Sequence, residues 1–194
     1  MNNLIFLEIK NLRNEENFIY DLENINNFKS LEELKLENVI ILKALKLKLN
    51  TLKHLSLCNC DQIGISENCA LGLKSLSLFR SKLIHYNSSY LKFPELEQLK
   101  ISFCFYGKSN CWKNPRIWYQ DFKKIIDFKS LKKLKFLYRG DISLFLALNN
   151  NSLEKAYISS YTMGGTNIEK SMIKKFIDIK TLKEIKLSLY DINK

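Results

Sequence analysis

Residues that could do chemistry are few in this chain, and their spacing argues against catalysis. The chain has only two histidines, His54 and His85, so a His-dependent catalytic triad has few candidates. His54 and Cys58 are predicted on one side of a single strand, where the rise per residue separates them by roughly 13 Å, too far for proton transfer. We therefore expect a protein that is not an enzyme.

Two short fragments look like binding motifs for a metal or a phosphate. Cys58-Asn59-Cys60 has the right residue types, but no second Cys/His pair at zinc spacing accompanies it, and a turn should bury Cys60. Gly164-Gly165 precedes a helix start without the longer phosphate-binding pattern, which favours a simple turn. The sequence thus predicts neither a metal site nor a cofactor.

A short phrase that recurs along the chain must position any functional side chain. It reads Leu, two residues, an apolar residue, one residue and a second apolar residue. Its eight copies begin at Leu4, Leu31, Leu52, Leu73, Leu96, Leu131, Leu153 and Leu182, at spacings of 27, 21, 21, 23, 35, 22 and 29 residues. Because one such unit cannot bury its apolar face alone, the copies must stack on one another.

This phrase resembles the leucine-rich repeat, most closely between Phe28 and Cys60. The resemblance implies a single α/β domain over residues 1–194, a solenoid of about eight repeats. It would have a curved parallel sheet on its concave face and short helices and irregular turns on its convex face. The family pattern continues to a buried Asn or Cys, and Asn38, Asn59, Cys60 and Cys104 lie in that region. Ser81 departs from this pattern in the fourth copy.

The length of each copy predicts the structure of the segment that returns to the next strand. Repeats of 21 residues leave about ten for the return, so we expect short or irregular helical turns there. A longer return is available after Thr166, where Thr166-Asn-Ile-Glu169 reads as a capping box that starts a helix.

The sequence also indicates the cellular compartment and whether the cysteines are free or paired in disulfides. No apolar run approaches the length of a bilayer span, and the N-terminus lacks a signal-length apolar stretch, so we expect a cytoplasmic protein. Five cysteines, an odd number without an export signal, favour free thiols over a disulfide framework.

The net charge of +11 is unevenly distributed. Residues 1–95 carry 12 Lys/Arg and 11 Asp/Glu, whereas residues 96–194 carry 19 and 9. A basic half can attract nucleic acid, an anionic membrane or an acidic protein. The competing interpretation is compositional bias, because nearly all the basic residues are Lys in a chain rich in Asn and Ile.

Strand alternation predicts which side chains line the concave face. Its middle should expose small residues around Phe79, namely Ser56, Ser75, Ser77 and Ser102. Toward the C-terminus lysines accumulate beside Tyr157, and we hypothesise that they receive an acidic partner surface. The candidate partner-binding residues on this face are His54, Ser56, Ser77, Phe79, Lys100, Lys133, Lys135, Tyr157 and Lys186.

The 35-residue spacing points to an insertion within the fifth repeat, at residues 104–128. It contains both tryptophans, Trp112 and Trp118, which are further candidates for partner binding. Packing of either ring over a neighbouring helix is the alternative.

Neither end of the array has an evident polar cap. We therefore expect a piece of a longer array, an end-to-end association, or a marginally stable protein.

The function expected from these features is a non-catalytic scaffold that holds a protein partner on the concave face. A more specific alternative is the substrate-recognition arm of an F-box-type ubiquitin ligase, since some irregular repeats of this kind have that role. The alternative from another class is a nucleic-acid-binding scaffold that uses the basic C-terminal half.

Overall fold

A computed structural model describes ten stretches of the chain. They are residues 3–11, 19–20, 22–41, 45–60, 63–81, 83–84, 93–102, 130–139, 152–162 and 178–191. The predicted insertion at residues 104–128, with Trp112 and Trp118, and the predicted helix after Thr166 lie outside these stretches.

Each copy of the recurring phrase supplies one strand of an eight-stranded sheet in which all described pairings are parallel. In spatial order, the strands are β1 (Phe6–Lys10), β3 (Glu33–Glu37), β6 (His54–Cys58), β8 (Ser75–Phe79), β10 (Gln98–Ser102), β11 (Lys133–Arg139), β12 (Lys155–Thr162) and β13 (Glu184–Asp191). Neighbouring strands pair in the register that aligns the phrases, so equivalent residues form rows across the sheet.

The apolar positions of the phrase form the core. In the six interior strands both inward residues are almost fully buried, as with Leu55 and Leu57 on β6. The first leucine of each interior copy is equally buried, for example Leu52 at 0% exposure. Alternation of side chains along an extended strand explains this pattern, because residues two apart point to the same face.

A tight hydrogen-bonded turn precedes five strands of the large sheet among the described residues. The amide of the first leucine donates to the carbonyl three residues earlier, as from Leu31 to Phe28 and from Leu96 to Phe93. A hydroxyl just before that leucine also donates to the preceding copy, as from Thr51 Oγ1 to the Leu31 carbonyl at 2.8 Å. An apolar residue, such as buried Phe93, lies three positions before each of these five leucines and is a sequence signal for this turn.

The chain leaves three of the strands through a residue with positive φ: Asn38, Asn59 and Arg80. Asn tolerates this left-handed conformation better than most residues, and Asn59 Nδ2 also donates to Asn38 Oδ1 at 2.7 Å. A short ladder of asparagines thus follows β3 and β6.

Ser81 is fully buried despite departing from the expected Asn or Cys. Its Oγ accepts from the Cys60 amide and donates to the Phe79 carbonyl, both at 2.9 Å. A hydroxyl both donates and accepts, so Ser81 satisfies two backbone groups and continues the polar positions of the ladder. Cys60 is buried beside it, as predicted.

The returns differ from the expected helical turns, because several of them contain short strands. Strands β5 (Leu45–Leu47), β7 (Ile63–Ile65) and β9 (Leu83–Ile84) form a second parallel sheet, and β2 (Ile19–Tyr20) pairs with β4 (Ile40–Ile41). Returns of similar length lie side by side, and apolar residues such as those of β7 favour extended pairing there. Among the described residues, helix occurs as the 3₁₀ turn η1 (Glu23–Asn27) and the six-residue α1 (Glu67–Gly72).

The structure thus confirms an α/β architecture with a large parallel sheet and few helices in the described stretches. No helix among the described residues is long and apolar enough to cross a membrane.

Candidate binding face

The face of the large sheet opposite the core, here called the open face, carries three rows of side chains. The first row is Phe6, Glu33, His54, Ser75, Gln98, Lys133, Lys155 and Glu184. The middle row is Glu8, Lys35, Ser56, Ser77, Lys100, Lys135, Tyr157 and Lys186. The third row is Lys10, Glu37, Cys58, Phe79, Ser102, Leu137, Ser159 and Ser188. These are the residues that strand alternation predicted to point outward.

A depression of about 490 Å³ lies on the open face between β3 and β12. Seven of the candidate residues from the sequence line it: His54, Ser56, Ser77, Lys100, Lys133, Lys135 and Tyr157. Phe79 and Lys186 belong to the open face outside this lining, whereas Trp112 and Trp118 lie outside the described residues.

The depression exists because the side chains at its floor are smaller than those around it. Ser56, Ser75 and Ser77 are small, and they lie between the larger Lys35 on β3 and the lysines of β10 and β11. A surface of small hydroxyl side chains lets another chain approach closely while offering it hydrogen-bond donors and acceptors.

Lys100, Lys133 and Lys135 form the charged side of the depression, here called the lysine cluster. Lys100 lies directly opposite Lys135 in the β10–β11 register, and Lys133 points to the same face two residues before Lys135. All three are exposed, and within the described residues none has a carboxylate at ion-pair distance.

Most described lysines elsewhere on the sheet and at the entrances to its strands do have such partners. At the entrance to the strands, Lys53 pairs with Glu32 at 2.7 Å, and Lys183 pairs with Glu154 at 3.0 Å. The lysine cluster is therefore a local concentration of positive charge without direct ion pairs, although Glu154 attracts Lys133 at longer range.

Glu184 partly neutralises the basic residues at the C-terminal side of the open face. Its carboxylate lies 3.3 Å from Lys155 Nζ and 3.2 Å from Lys186 Nζ, and it accepts a 2.8 Å hydrogen bond from the Tyr157 hydroxyl. These three donors, led by Tyr157, lower the pKa of Glu184 to about 2. Lys186 also lies over the Tyr157 ring, 5.3 Å from its centroid. Lys155 and Lys186 thus differ from the lysine cluster, although the sequence grouped them together.

The N-terminal side of the open face is balanced by ion pairs. Lys10 meets Glu37 at 2.8 Å, and Lys35 meets Glu33 at 2.9 Å while lying over the Phe6 ring. With Glu8 included, β1 and β3 present three glutamates and two lysines on this face. The open face is therefore slightly negative near β1 and positive at β10 and β11.

The third row holds the aromatic candidate and one unexpected residue. Phe79 is half-buried on β8, with the Arg80 guanidinium 5.3 Å from its ring centroid. Next to it, Ser102 was expected to be exposed but is only 7% exposed, and its hydroxyl has no hydrogen-bond partner within the described structure. Ser102 is therefore not part of the exposed small surface.

Thiols and carboxylates in the described stretches do not form a reactive constellation. Cys58, Cys60 and Cys69 are free thiols, and burial raises the pKa of Cys69 to about 12 and also raises that of Cys58. Thiols with raised pKa values are poor nucleophiles near neutral pH. No group of three His, Cys, Asp or Glu side chains in these stretches is arranged to hold a metal ion.

Comparison of the chain with protein-family models, curated proteins and solved structures gives no match. The function is therefore inferred from the geometry and the charge of the open face.

Proposed function

We propose that this protein is a non-catalytic interaction scaffold of the leucine-rich-repeat type that holds an acidic segment of a protein partner on its open face. The observation that carries this proposal is the lysine cluster, three exposed lysines without direct ion pairs in the described structure, beside a depression floored by serines.

The family assignment is supported by the regularity of the junctions between strands. At each of the seven junctions, two successive amides of one strand entry donate to a single carbonyl of the preceding entry, as Lys53 and His54 donate to Glu32. Together with the row-by-row burial of the leucines, this repeated geometry is what stacked units of one repeat type would produce. In this proposal the open face is the side of the sheet that receives the partner.

An acidic ligand follows from the electrostatics of the lysine cluster. Strands in a sheet lie about 4.8 Å apart, so Lys100 and Lys135 hold like charges close together on adjacent strands. Like charges opposite one another disfavour the pairing, and a carboxylate between them would reverse that effect. Hydrogen bonds from lysine to carboxylate are charge-assisted and contribute more than neutral ones.

The surroundings of the lysine cluster support binding of a polypeptide. Tyr157 borders the depression and offers a ring face, and the serine floor gives a backbone room to approach. Aromatic side chains that are already held in place contribute strongly to protein interfaces. Tyr157 is held in this way by its hydrogen bond to Glu184.

The second candidate function is nucleic-acid binding through the basic C-terminal half, and the same lysine cluster is its supporting observation. The extent of the cluster favours a protein partner. Duplex nucleic acid carries a phosphate charge about every 1.7 Å along its axis, whereas on the described part of the open face lysines without an ion pair occupy only β10 and β11. The glutamates of β1 and β3 would repel a polyanion that crossed the whole face.

The test is an affinity pull-down from native cell extract, divided into nuclease-treated and untreated halves. Wild type is compared with the double variant Lys100→Glu/Lys135→Glu. The matched control is Lys48→Glu/Lys180→Glu, which reverses the same number of exposed charges away from the open face. We expect a discrete protein to survive nuclease, to bind the control variant and to be lost with the cluster variant.

Two results would redirect this proposal. Binding that disappears with nuclease would favour the nucleic-acid function, and equal partner binding by the cluster variant and the wild type would exclude the lysine cluster as the binding site. Ubiquitin-ligase subunits among the captured proteins would favour the F-box-type alternative.

A further inference from the structure

The two outer strands of the large sheet leave apolar surface accessible. Among the described strands, β1 pairs only with β3, and β13 pairs only with β12. On β13 the core-facing Ile185 is 40% exposed, whereas its equivalents on the interior strands are exposed by 1% or less. At the other side of the sheet, Ile5 is 60% exposed, and Leu7 is only partly buried. Both outer strands thus combine an unpaired edge with an incompletely covered core.

The two outer strands match each other when β1 of one copy is set beside β13 of another in the register used throughout the sheet. In that register, Leu7 would lie opposite Ile185 and Ile9 opposite Leu187, which continues the two inward apolar rows. Glu8 would lie opposite Lys186, an oppositely charged pair on the open face. Directly opposed pairs of these kinds stabilise neighbouring strands.

The backbone donors of β1 and the backbone acceptors of β13 also match each other. Within the sheet, Lys183 and Glu184 both donate to the Glu154 carbonyl, the seventh repetition of one junction geometry. The next donors in that pattern would be the amides of Ile5 and Phe6, and the next acceptor would be the Lys183 carbonyl. A β1 edge placed beside β13 would therefore form the junction that already occurs seven times in the described sheet.

We propose that copies of this chain associate head to tail, with β1 of one copy extending the large sheet at β13 of the next. The charges on the open face agree with this direction, since β1 and β3 are slightly negative there while the C-terminal strands are positive. Such an interface is heterologous, so it leaves one free edge at each end and permits further addition. It would also make the open faces of neighbouring copies continuous, lengthening the surface available to one partner.

The first experiment measures self-association by sedimentation velocity over a wide range of protein concentration. We expect the average mass to rise with concentration. Lys186→Glu and Glu8→Lys should each weaken association about tenfold, because each places like charges across the junction. Both side chains are exposed, so circular dichroism should show an unchanged fold. The double variant Glu8→Lys/Lys186→Glu restores opposite charges and should regain most of the affinity.

The second experiment determines direction by blocking one edge at a time. Ile5→Lys/Glu8→Lys places lysines opposite Lys183 and Lys186 and blocks the β1 edge, whereas Ile185→Lys/Lys186→Glu blocks the β13 edge. Head-to-tail pairing predicts that each blocked variant alone is monomeric and that an equal mixture forms dimers that grow no further.

Three outcomes would overturn this proposal. They are a monomeric wild type at every concentration, association that is unchanged by both single charge reversals, and self-dimerisation of either blocked variant. Lys100→Glu/Lys135→Glu serves as the control, since it alters the open face far from either edge and should associate as wild type does.

Discussion

Lys100 and Lys135 face each other across the β10–β11 pairing, and neither has an ion-pair partner within the described residues. The one other directly opposed pair of charged residues in the middle row, Glu8 and Lys35, is of opposite sign. The lysine cluster is thus a place where the surface charge works against the pairing of the two strands. Like charges directly opposite one another disfavour strand pairing, and a carboxylate of a ligand placed between them would relieve this effect.

Reversing one charge of the lysine cluster should stabilise the folded protein while removing partner binding. In Lys135→Glu a carboxylate would meet Lys100, so we expect the free energy of unfolding to rise by about 0.2–1 kcal/mol. Urea unfolding of this variant beside Lys48→Glu measures the effect. A loss of stability in Lys135→Glu alone would show that the lysine side chain has a structural role.

The ionisation of Glu184 should give stability that depends on pH. Its pKa in the folded protein is about 2, below the ordinary value of 4.5, because Tyr157, Lys186 and Lys155 hydrogen-bond to the charged form. The contribution is therefore present above pH 4.5 and is lost as the pH falls from 4.5 toward 2.

We expect Tyr157→Phe to raise the pKa of Glu184 toward 4.5, measured by NMR titration of the carboxyl carbon. Glu154, whose pKa is lowered chiefly by Lys183, is the internal control and should not change. A Glu184 titration that is the same in both proteins would mean that the tyrosine hydrogen bond does not form in solution.

Removing the Ser81 hydroxyl should lower the free energy of unfolding markedly, although the substitution deletes only one atom. Ser81→Ala leaves the buried Cys60 amide without its acceptor, so we expect a loss of about 1–3 kcal/mol in the free energy of unfolding. Ser77→Ala on the open face should change it by less than about 0.5 kcal/mol. Similar losses in the two variants would contradict the role assigned to Ser81.

The cost of shortening a core residue should depend on its place in the stack. Leu76→Ala on β8 leaves a cavity at a fully buried site between two strands. We expect it to lower the free energy of unfolding by about 2–5 kcal/mol. Ile185→Ala on β13 should cost clearly less, because that side chain is 40% exposed and transfers less area from water. Thermal unfolding of both variants at low protein concentration, where copies do not associate, measures the difference. Equal losses of stability in the two variants would show that Ile185 is covered in solution.

One substitution should stabilise the protein by completing a repeated hydrogen bond. Gly72 occupies the position just before the first leucine, where Thr51, Ser152 and Thr181 each donate a hydroxyl to the preceding copy. A Cβ at Gly72 would lie 3.4 Å from the Asn50 carbonyl oxygen and 3.8 Å from that of Leu52, which is ordinary contact.

We therefore expect Gly72→Ser to raise the free energy of unfolding by about 0.5–1 kcal/mol, since it restricts the unfolded chain and adds a donor near the Leu52 carbonyl. Gly72→Ala is the control for the backbone effect. A Gly72→Ser protein that is no more stable than Gly72→Ala would exclude the added hydrogen bond.

The sequence alone determined where the strands of the large sheet lie and which way their side chains point. The eight phrases each became a strand, because alternation in an extended chain needs only local spacing to separate inward from outward residues. Burial of Cys60 and exposure of the lysine cluster could be predicted on the same local basis.

The tertiary structure determined which side chains and strands lie next to one another. The partners of Glu184, the uncompensated state of Lys100 and Lys135, and the second sheet formed by β5, β7 and β9 all depend on neighbours about 20 to 35 residues away in the chain. Periodicity does not specify these contacts, because they arise only when stacking sets each strand in register with the next. Ser81 shows the same limit, since its hydrogen bond from the Cys60 amide depends on the adjoining repeat, whereas its hydrogen bond to the Phe79 carbonyl is local.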